Sequence, residues 1–217
     1  MSIPVVPAVI PQSESHLIEM TKLLRFSHEF HLDLVDGKFV PATSWPFIDG
    51  GEAIAIKPHT DKYTLEVDLM VENPILVARE WITAGADMLV FHVETVDIYS
   101  FNDFVTHAPK GVTIGVSFSG DTKVDQVFPY LEHAEYVQIM GIHTIGSQGQ
   151  PFDESVFDRI EAVRTEKPDI LISVDGAVSA ATLPKLVRAG AHRFIVGSAI
   201  VGQSDPENAY YELTSLV

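Results

Sequence analysis

Histidine and aspartate alternate within one short apolar stretch of the chain, and further aspartates end two other apolar runs. In His31-Leu32-Asp33-Leu34-Val35-Asp36-Gly37, the first histidine and aspartate are two residues apart, so in a strand both side chains point to the same side. One imidazole and three carboxylates meeting at one place would repel each other unless a cation lay among them. We therefore predict a divalent metal site formed by His31, Asp33, Asp68 and Asp175. The alternative for any single one of them is a helix-capping aspartate or an ordinary core histidine.

Short apolar runs alternate with amphipathic segments along the whole chain. Most of the runs are apolar on both faces, as expected for parallel strands covered by helices. The predicted strands are Pro4–Ile10, Phe30–Val35, Tyr63–Met70, Met88–Val93, Thr113–Phe118, Tyr136–Met140, Ile170–Val174 and Arg193–Val196. The predicted helices are Glu14–Leu24, Pro74–Ala84, Ser100–Ala108, Lys123–Leu131, Glu154–Arg164, Ala180–Ala189 and a last one starting at Ser204-Asp205-Pro206-Glu207. The segment Trp45–Lys57 is the least regular, and we predict a helix within it.

This repeat predicts an α/β protein, a (β/α)₈ TIM barrel that forms one domain over residues 1–217. The alternative is an open doubly wound sheet. Against that alternative, the first strand is not followed by the Gly-x-Gly-x-x-Gly turn of dinucleotide-binding sheets. In a barrel, function lies at the carboxyl ends of the strands, where the four candidate metal ligands would converge on the interior.

Glycine turns follow the last two predicted strands and are candidates for phosphate binding. They read Asp175-Gly176-Ala177-Val178 and Val196-Gly197-Ser198-Ala199, and glycine lets a ligand approach the backbone N–H groups closely. A third glycine-rich segment, Gly141–Gln150, contains Gly146, Ser147 and Gly149 and would suit a lid that closes over the site. The alternatives are ordinary tight turns and an ordinary flexible loop.

The composition limits the classes of partner. The 217 residues include 14 Lys and Arg against 30 Asp and Glu, a formal charge of −16, and no cysteine. Disulfides, cysteine-ligated metals and a thiol nucleophile are therefore excluded, and nucleic acid is disfavoured. A small anionic substrate is still allowed, because a local site can oppose the global field. Without a basic leader or a run of about 18 apolar residues, we expect a cytoplasmic protein that does not enter membranes.

Several blocks of the sequence, in order, resemble the ribulose-phosphate 3-epimerase family. They are Pro7–Ile10, His31–Pro41, Asp68–Pro74, Ala86–Asp87 with His92–Glu94, Val174–Gly176 and Gly197–Ile200. The resemblance implies a barrel of the ribulose-phosphate-binding type that interconverts D-ribulose 5-phosphate and D-xylulose 5-phosphate with one divalent metal ion. It also implies a sugar-phosphate substrate and a homo-oligomer.

The resemblance also implies roles for individual residues. His31, Asp33 and Asp175 match metal ligands, and the two aspartates also match the catalytic acid/base pair. Met70 and Met140 match methionines that pack beside the reacting carbons. Gly176, Gly197 and Ser198 match the phosphate site, His92 is expected near the centre, and His143 in the lid is a candidate substrate contact.

The sequence departs from the family pattern at several positions. Asp68 stands where the family usually has a second histidine, which changes the ligand charge from −2 to −3 and favours Mn²⁺, Mg²⁺ or Fe²⁺ over Zn²⁺. Pro11 replaces a serine, Val35 a methionine and Ala177 a glycine, and the lid differs. The alternatives are therefore an epimerase of a hexulose phosphate such as D-allulose 6-phosphate, or a non-catalytic sugar-phosphate binder. A lyase or decarboxylase is disfavoured, because the third strand lacks the lysine those relatives use.

Overall fold

Eight parallel strands close into a barrel in sequence order in the computed structural model, which describes residues 4–217. This confirms the (β/α)₈ prediction over the open sheet. Residues 1–3, which enter the expectation about a basic leader, lie outside the described residues. The strands are β1 Val5–Val9, β2 Glu29–Val35, β3 Thr64–Met70, β4 Met88–His92, β5 Thr113–Phe118, β6 Tyr136–Met140, β7 Leu171–Asp175 and β8 Arg193–Val196.

Helices follow the strands and cover the outside of the barrel. They are α1 Glu14–Leu23, α2 Lys57–Thr60, α3 Pro74–Ala84, α4 Ile98–His107, α5 Phe128–Leu131, α6 Val156–Glu166, α7 Leu183–Arg188, α8 Ser198–Val201 and α9 Pro206–Thr214. Short 3₁₀ helices span Ala53–Ile56 and Val124–Gln126. Within residues 4–217, none of the helices has the length and apolar character that a membrane crossing requires.

Some predicted element boundaries are wrong for identifiable reasons. The predicted helix Lys123–Leu131 divides into a 3₁₀ turn and α5, because Pro129 lies in the first turn of α5 and has no N–H to continue an earlier helix. The predicted Ala180–Ala189 helix begins only at Leu183, after a turn closed by a hydrogen bond from Ser179 N to Thr182 Oγ1. Helix α4 starts earlier than predicted, because the Asp97 side chain accepts hydrogen bonds from the first-turn N–H groups.

The remaining differences are at the carboxyl ends of the strands. Asp175 belongs to β7 rather than following it, since it is paired with residues of both neighbouring strands. The short helix α8, which directly follows β8 and Gly197, was not predicted. The irregular segment around Trp45–Lys57 contains only a 3₁₀ turn before α2.

Alternation along β2 and β3 places polar side chains inside the barrel. Leu32, Leu34, Val67 and Leu69 belong to the main hydrophobic cluster, so the residues between them point the other way, into the interior. The register pairs His31 with Glu66 and Asp33 with Asp68. Two neighbouring strands therefore contribute two adjacent pairs of ionisable groups to the same interior.

Candidate metal centre and active site

The four predicted metal ligands converge at the carboxyl ends of the strands. One potential ligand atom from each of His31, Asp33, Asp68 and Asp175 lies within 4.8 Å of the others. The first three residues are buried and Asp175 is half-buried. The structure thus brings together side chains from β2, β3 and β7.

The imidazole of His31 is oriented by a carboxylate beneath the cluster. His31 Nδ1 lies 2.5 Å from Glu66 Oε2, and the opposite ring nitrogen, Nε2, lies 3.3 Å from Asp33 Oδ1. Nε2 is buried and has no well-aligned hydrogen-bond partner among the described residues. A buried nitrogen that faces carboxylates without such a partner is the arrangement expected of a metal ligand.

Glu66 is the centre of a buried network of hydrogen bonds. Its Oε1 accepts a hydrogen bond from Tyr136 Oη (2.6 Å), and its Oε2 accepts one from Arg193 Nη1 (2.7 Å). Arg193 also donates to Glu29 Oε2 through Nε and Nη2, at 3.2 and 3.1 Å. Burial alone would raise the pKa of Glu66, but the charges of Arg193 and His31 outweigh it and hold that pKa well below its usual range.

Both carboxylate oxygens of Asp68 also form hydrogen bonds with other buried side chains. Oδ1 lies 2.9 Å from His92 Nε2, and Oδ2 accepts a hydrogen bond of 2.8 Å from Gln138 Nε2. All three side chains are fully buried. His92 therefore lies beside the centre, as expected, and Asp68 is held in one orientation.

Negative charge accumulates in this interior. Burial raises the pKa of Asp33, and burial together with the charge of Asp33 raises the pKa of Asp175 well above its usual value. Burial lowers the pKa of His31, but the charges of Glu66 and Asp33 outweigh it and the net shift is upward. Three carboxylates and one imidazole nitrogen within a few ångströms of one another are a donor set that fits a divalent cation.

A cavity opens above the cluster. Of the four candidate ligands, Asp33 and Asp175 line it. Apart from His143, the residues predicted at the substrate and phosphate sites and in the lid also line it: Met70, Met140, Gly146, Ser147, Gly149, Gly176, Ala177, Gly197 and Ser198. The lining residues, all within the described part of the chain, include no lysine or arginine. An anionic group bound there would therefore meet neutral N–H and hydroxyl donors.

The segment after β6 packs across this cavity. Gly146 has a φ of +87°, and a Cβ at this position would lie 2.6 Å from Val40 Cγ2, so only glycine fits. Gln148 packs on Gly197 so closely that a Cβ on Gly197 would lie 2.5 Å from Gln148 Nε2. The segment is therefore held both by the loop after β2 and by the turn after β8.

Ala177 occupies a backbone conformation that favours glycine. Its φ is 52°, in the left-handed region, and it follows Gly176 with φ of 95°. The turn after β7 thus keeps the shape of a double-glycine turn although its second residue is alanine. The left-handed conformation costs a non-glycine residue about 1–2 kcal/mol.

Other residues are placed differently from expectation or were not predicted. The lid residue His143 is not among the residues that line the cavity, and it pairs with Asp121 at 3.1 Å on the surface. Glu66 and Gln138 were missed, although each lies two residues before a predicted site residue on its strand, and alternation could have found them. The contact of Arg193 with Glu66 has no local signal, because the two residues are 127 positions apart.

The protein is a closed (β/α)₈ barrel with a cluster of one histidine and three aspartates at the carboxyl ends of its strands. Barrels of this class have their active sites at that end. Comparison with known proteins identifies the family. Residues 5–201 match the ribulose-phosphate 3 epimerase family, so the chain belongs to that family.

Individual relatives agree with this assignment. The chain is 34% identical over 189 residues to the ribulose-phosphate 3-epimerase of Bacillus subtilis, covering 84% of each chain. It is 30% identical over 207 residues to the cytoplasmic isoform of that enzyme from Oryza sativa, covering 93% of this chain and 89% of the relative. A crystal structure of 3-hexulose-6-phosphate synthase superimposes with a TM-score of 0.74 at 21% identity, covering 99% of both chains, a likeness that shows the fold alone.

Proposed function

We propose that this protein inverts the configuration at C3 of a ketose phosphate and interconverts D-ribulose 5-phosphate and D-xylulose 5-phosphate. The observation that carries the proposal is the placement of two carboxyl groups in the cavity. Asp33 enters from β2 and Asp175 from β7, strands that are three positions apart in the closed ring of eight. The two groups therefore face a bound substrate from different sides.

Inversion at a carbon next to a carbonyl needs two such groups. One carboxylate removes the C3 proton from one face and leaves an enediolate, and the other group, as a carboxylic acid, delivers its proton to the opposite face. Burial and the charge of Asp33 both raise the pKa of Asp175, which is the direction that a group acting as the acid requires. After each inversion the protonation states of Asp33 and Asp175 are exchanged, and solvent must restore them.

A divalent cation held by His31, Asp33, Asp68 and Asp175 would stabilise the negative charge that develops on the substrate oxygens. Met70 and Met140 are almost fully buried in the apolar cluster at the cavity and would pack against the carbon skeleton. The carboxylate of Asp68 favours a harder ion such as Mn²⁺, Mg²⁺ or Fe²⁺ over Zn²⁺.

The phosphate of the substrate would lie at the turns after β7 and β8. Gly176, Ala177, Gly197 and Ser198 line the cavity there, together with Ser147 from the segment that crosses it. The backbone N–H and hydroxyl groups of these residues would donate hydrogen bonds to the phosphate. A protein with a formal charge of −16 would therefore bind a phosphate there without a basic patch.

The experiment follows D-ribulose 5-phosphate in D₂O with metal-loaded and chelator-treated protein. We expect D-xylulose 5-phosphate labelled with deuterium at C3, and no turnover after chelation. D-allulose 6-phosphate assayed in parallel tests the hexulose alternative, which a higher kcat/KM on that substrate would favour. Substrate binding with neither exchange nor product would contradict the proposal and indicate a sugar-phosphate binder.

A further inference from the structure

Glu66 lies below the proposed metal centre and does not line the cavity. It is fully buried, and it reaches three strands of the barrel besides its own. Oε2 contacts His31 Nδ1 on β2 and Arg193 Nη1 on β8, whereas Oε1 accepts the hydroxyl of Tyr136 on β6. The two oxygens are therefore used separately, and the contact with His31 involves only one of them.

The contact with Glu66 determines which nitrogen of His31 is available for binding. An ionised carboxylate can only accept a hydrogen bond, so the proton of the short contact lies on Nδ1. Nε2, on the other side of the ring, faces Asp33 and is the nitrogen left to bind a cation. A carboxylate on the far nitrogen also makes a histidine a stronger ligand.

The positive charge of Arg193 offsets the free-energy cost of burying the Glu66 carboxylate. Without a cationic partner, Glu66 would add a further negative charge to an interior that already holds Asp33, Asp68 and Asp175. Arg193 is anchored on its other side by Glu29 at the start of β2, so the guanidinium is fixed between two carboxylates. Glu66 can therefore accept the hydrogen bond of His31, while Arg193 reduces its repulsion of the three aspartates.

We propose that Glu66 is a positioning residue of the metal centre, which holds His31 with Nε2 directed at the other ligands and is itself held by Arg193. The inference rests on the metal site of the proposed function. It is independent of whether the bound substrate is a pentulose or a hexulose phosphate.

The test compares Glu66→Gln, which removes the negative charge beside His31, with Tyr136→Phe, which removes only the hydrogen bond to the other oxygen, Oε1. Affinities for Mn²⁺ and Zn²⁺ are measured by competition with a chromogenic chelator, without substrate. We expect Glu66→Gln to weaken metal binding by about 10- to 100-fold. Tyr136→Phe leaves Oε2 and His31 untouched and should bind metal as the wild type does. An unchanged affinity in Glu66→Gln, or an equal loss in both variants, would overturn the proposal.

A second measurement needs no variant and decides the matter should Glu66→Gln fail to fold. In the zinc-loaded wild type, a long-range ¹H–¹⁵N correlation spectrum of the imidazoles should show His31 bound through Nε2 and protonated at Nδ1. Coordination through Nδ1 would overturn the proposal. Failure of the proposed function gives a different pattern, since an inactive protein whose metal affinity falls in Glu66→Gln leaves this inference standing.

Discussion

Replacing Arg193 by methionine tests whether the interior depends on the buried charge network. The substitution keeps most of the apolar volume and removes the guanidinium that contacts Glu66 at 2.7 Å and Glu29 at 3.1 Å. Glu66 is fully buried and would lose its permanent positive partner. Removing one partner of a buried ion pair costs about 3–5 kcal/mol.

The structure places the expected loss at the lower end of that range. Glu66 keeps two hydrogen-bond donors in Arg193→Met, His31 Nδ1 and Tyr136 Oη. We therefore expect the free energy of unfolding to fall by about 3 kcal/mol. For a chain of this size the corresponding fall in Tm is about 6–12 °C.

Urea unfolding, followed by circular dichroism in the presence of a chelator, measures this loss without a contribution from bound metal. The matched control is Lys38→Met, which removes an exposed ion pair with Glu72, whose side chains are 61% and 58% exposed. Exposed pairs contribute at most about 1 kcal/mol. A loss in Arg193→Met no larger than that of Lys38→Met would refute the reasoning about the buried network.

Three further predictions concern the cavity and the metal centre below it. Ala177→Gly should leave the free energy of unfolding in urea unchanged or raise it by up to about 1 kcal/mol, because φ is positive at this position. The control, Ala162→Gly inside α6, should lower it by about 1 kcal/mol. Equal losses in the two variants would contradict the left-handed conformation of Ala177. Gly146→Ala should raise KM for the sugar phosphate, since its Cβ would meet Val40 at 2.6 Å, and an unchanged KM would show that the segment does not cover the substrate. Asp68→His should shift metal preference toward Zn²⁺ in competition titrations, and a preference for Zn²⁺ already in the wild type would refute the argument from ligand charge.

The barrel was predictable because its strands are apolar on both faces. Leu32 and Leu34 pack outward under the helices, so His31 and Asp33, which alternate with them, had to face inward. Their convergence with Asp68 follows once the strands are parallel and adjacent. The same alternation accounts for the lining of the cavity by Met70 and Met140. Local sequence is sufficient for these positions.

Features that depend on distant partners could not be predicted. The pairing of Arg193 with Glu66 is set by the closure of β8 beside β1, which brings together strands far apart in sequence. The direction of His143 toward Asp121 likewise depends on the path of two loops. The division of the Lys123–Leu131 helix, in contrast, had a local signal in Pro129.

The most direct test of the two-carboxylate mechanism separates proton exchange from inversion. Metal-loaded Asp33→Asn and Asp175→Asn, with metal content verified, are each incubated in D₂O with D-ribulose 5-phosphate and, separately, with D-xylulose 5-phosphate. Each variant keeps one carboxyl group, so it should exchange the C3 proton of one epimer only, the two variants should prefer opposite epimers, and neither should interconvert them. Continued interconversion by either variant, or exchange of the same epimer by both, would contradict the placement of the two groups on opposite faces of the substrate.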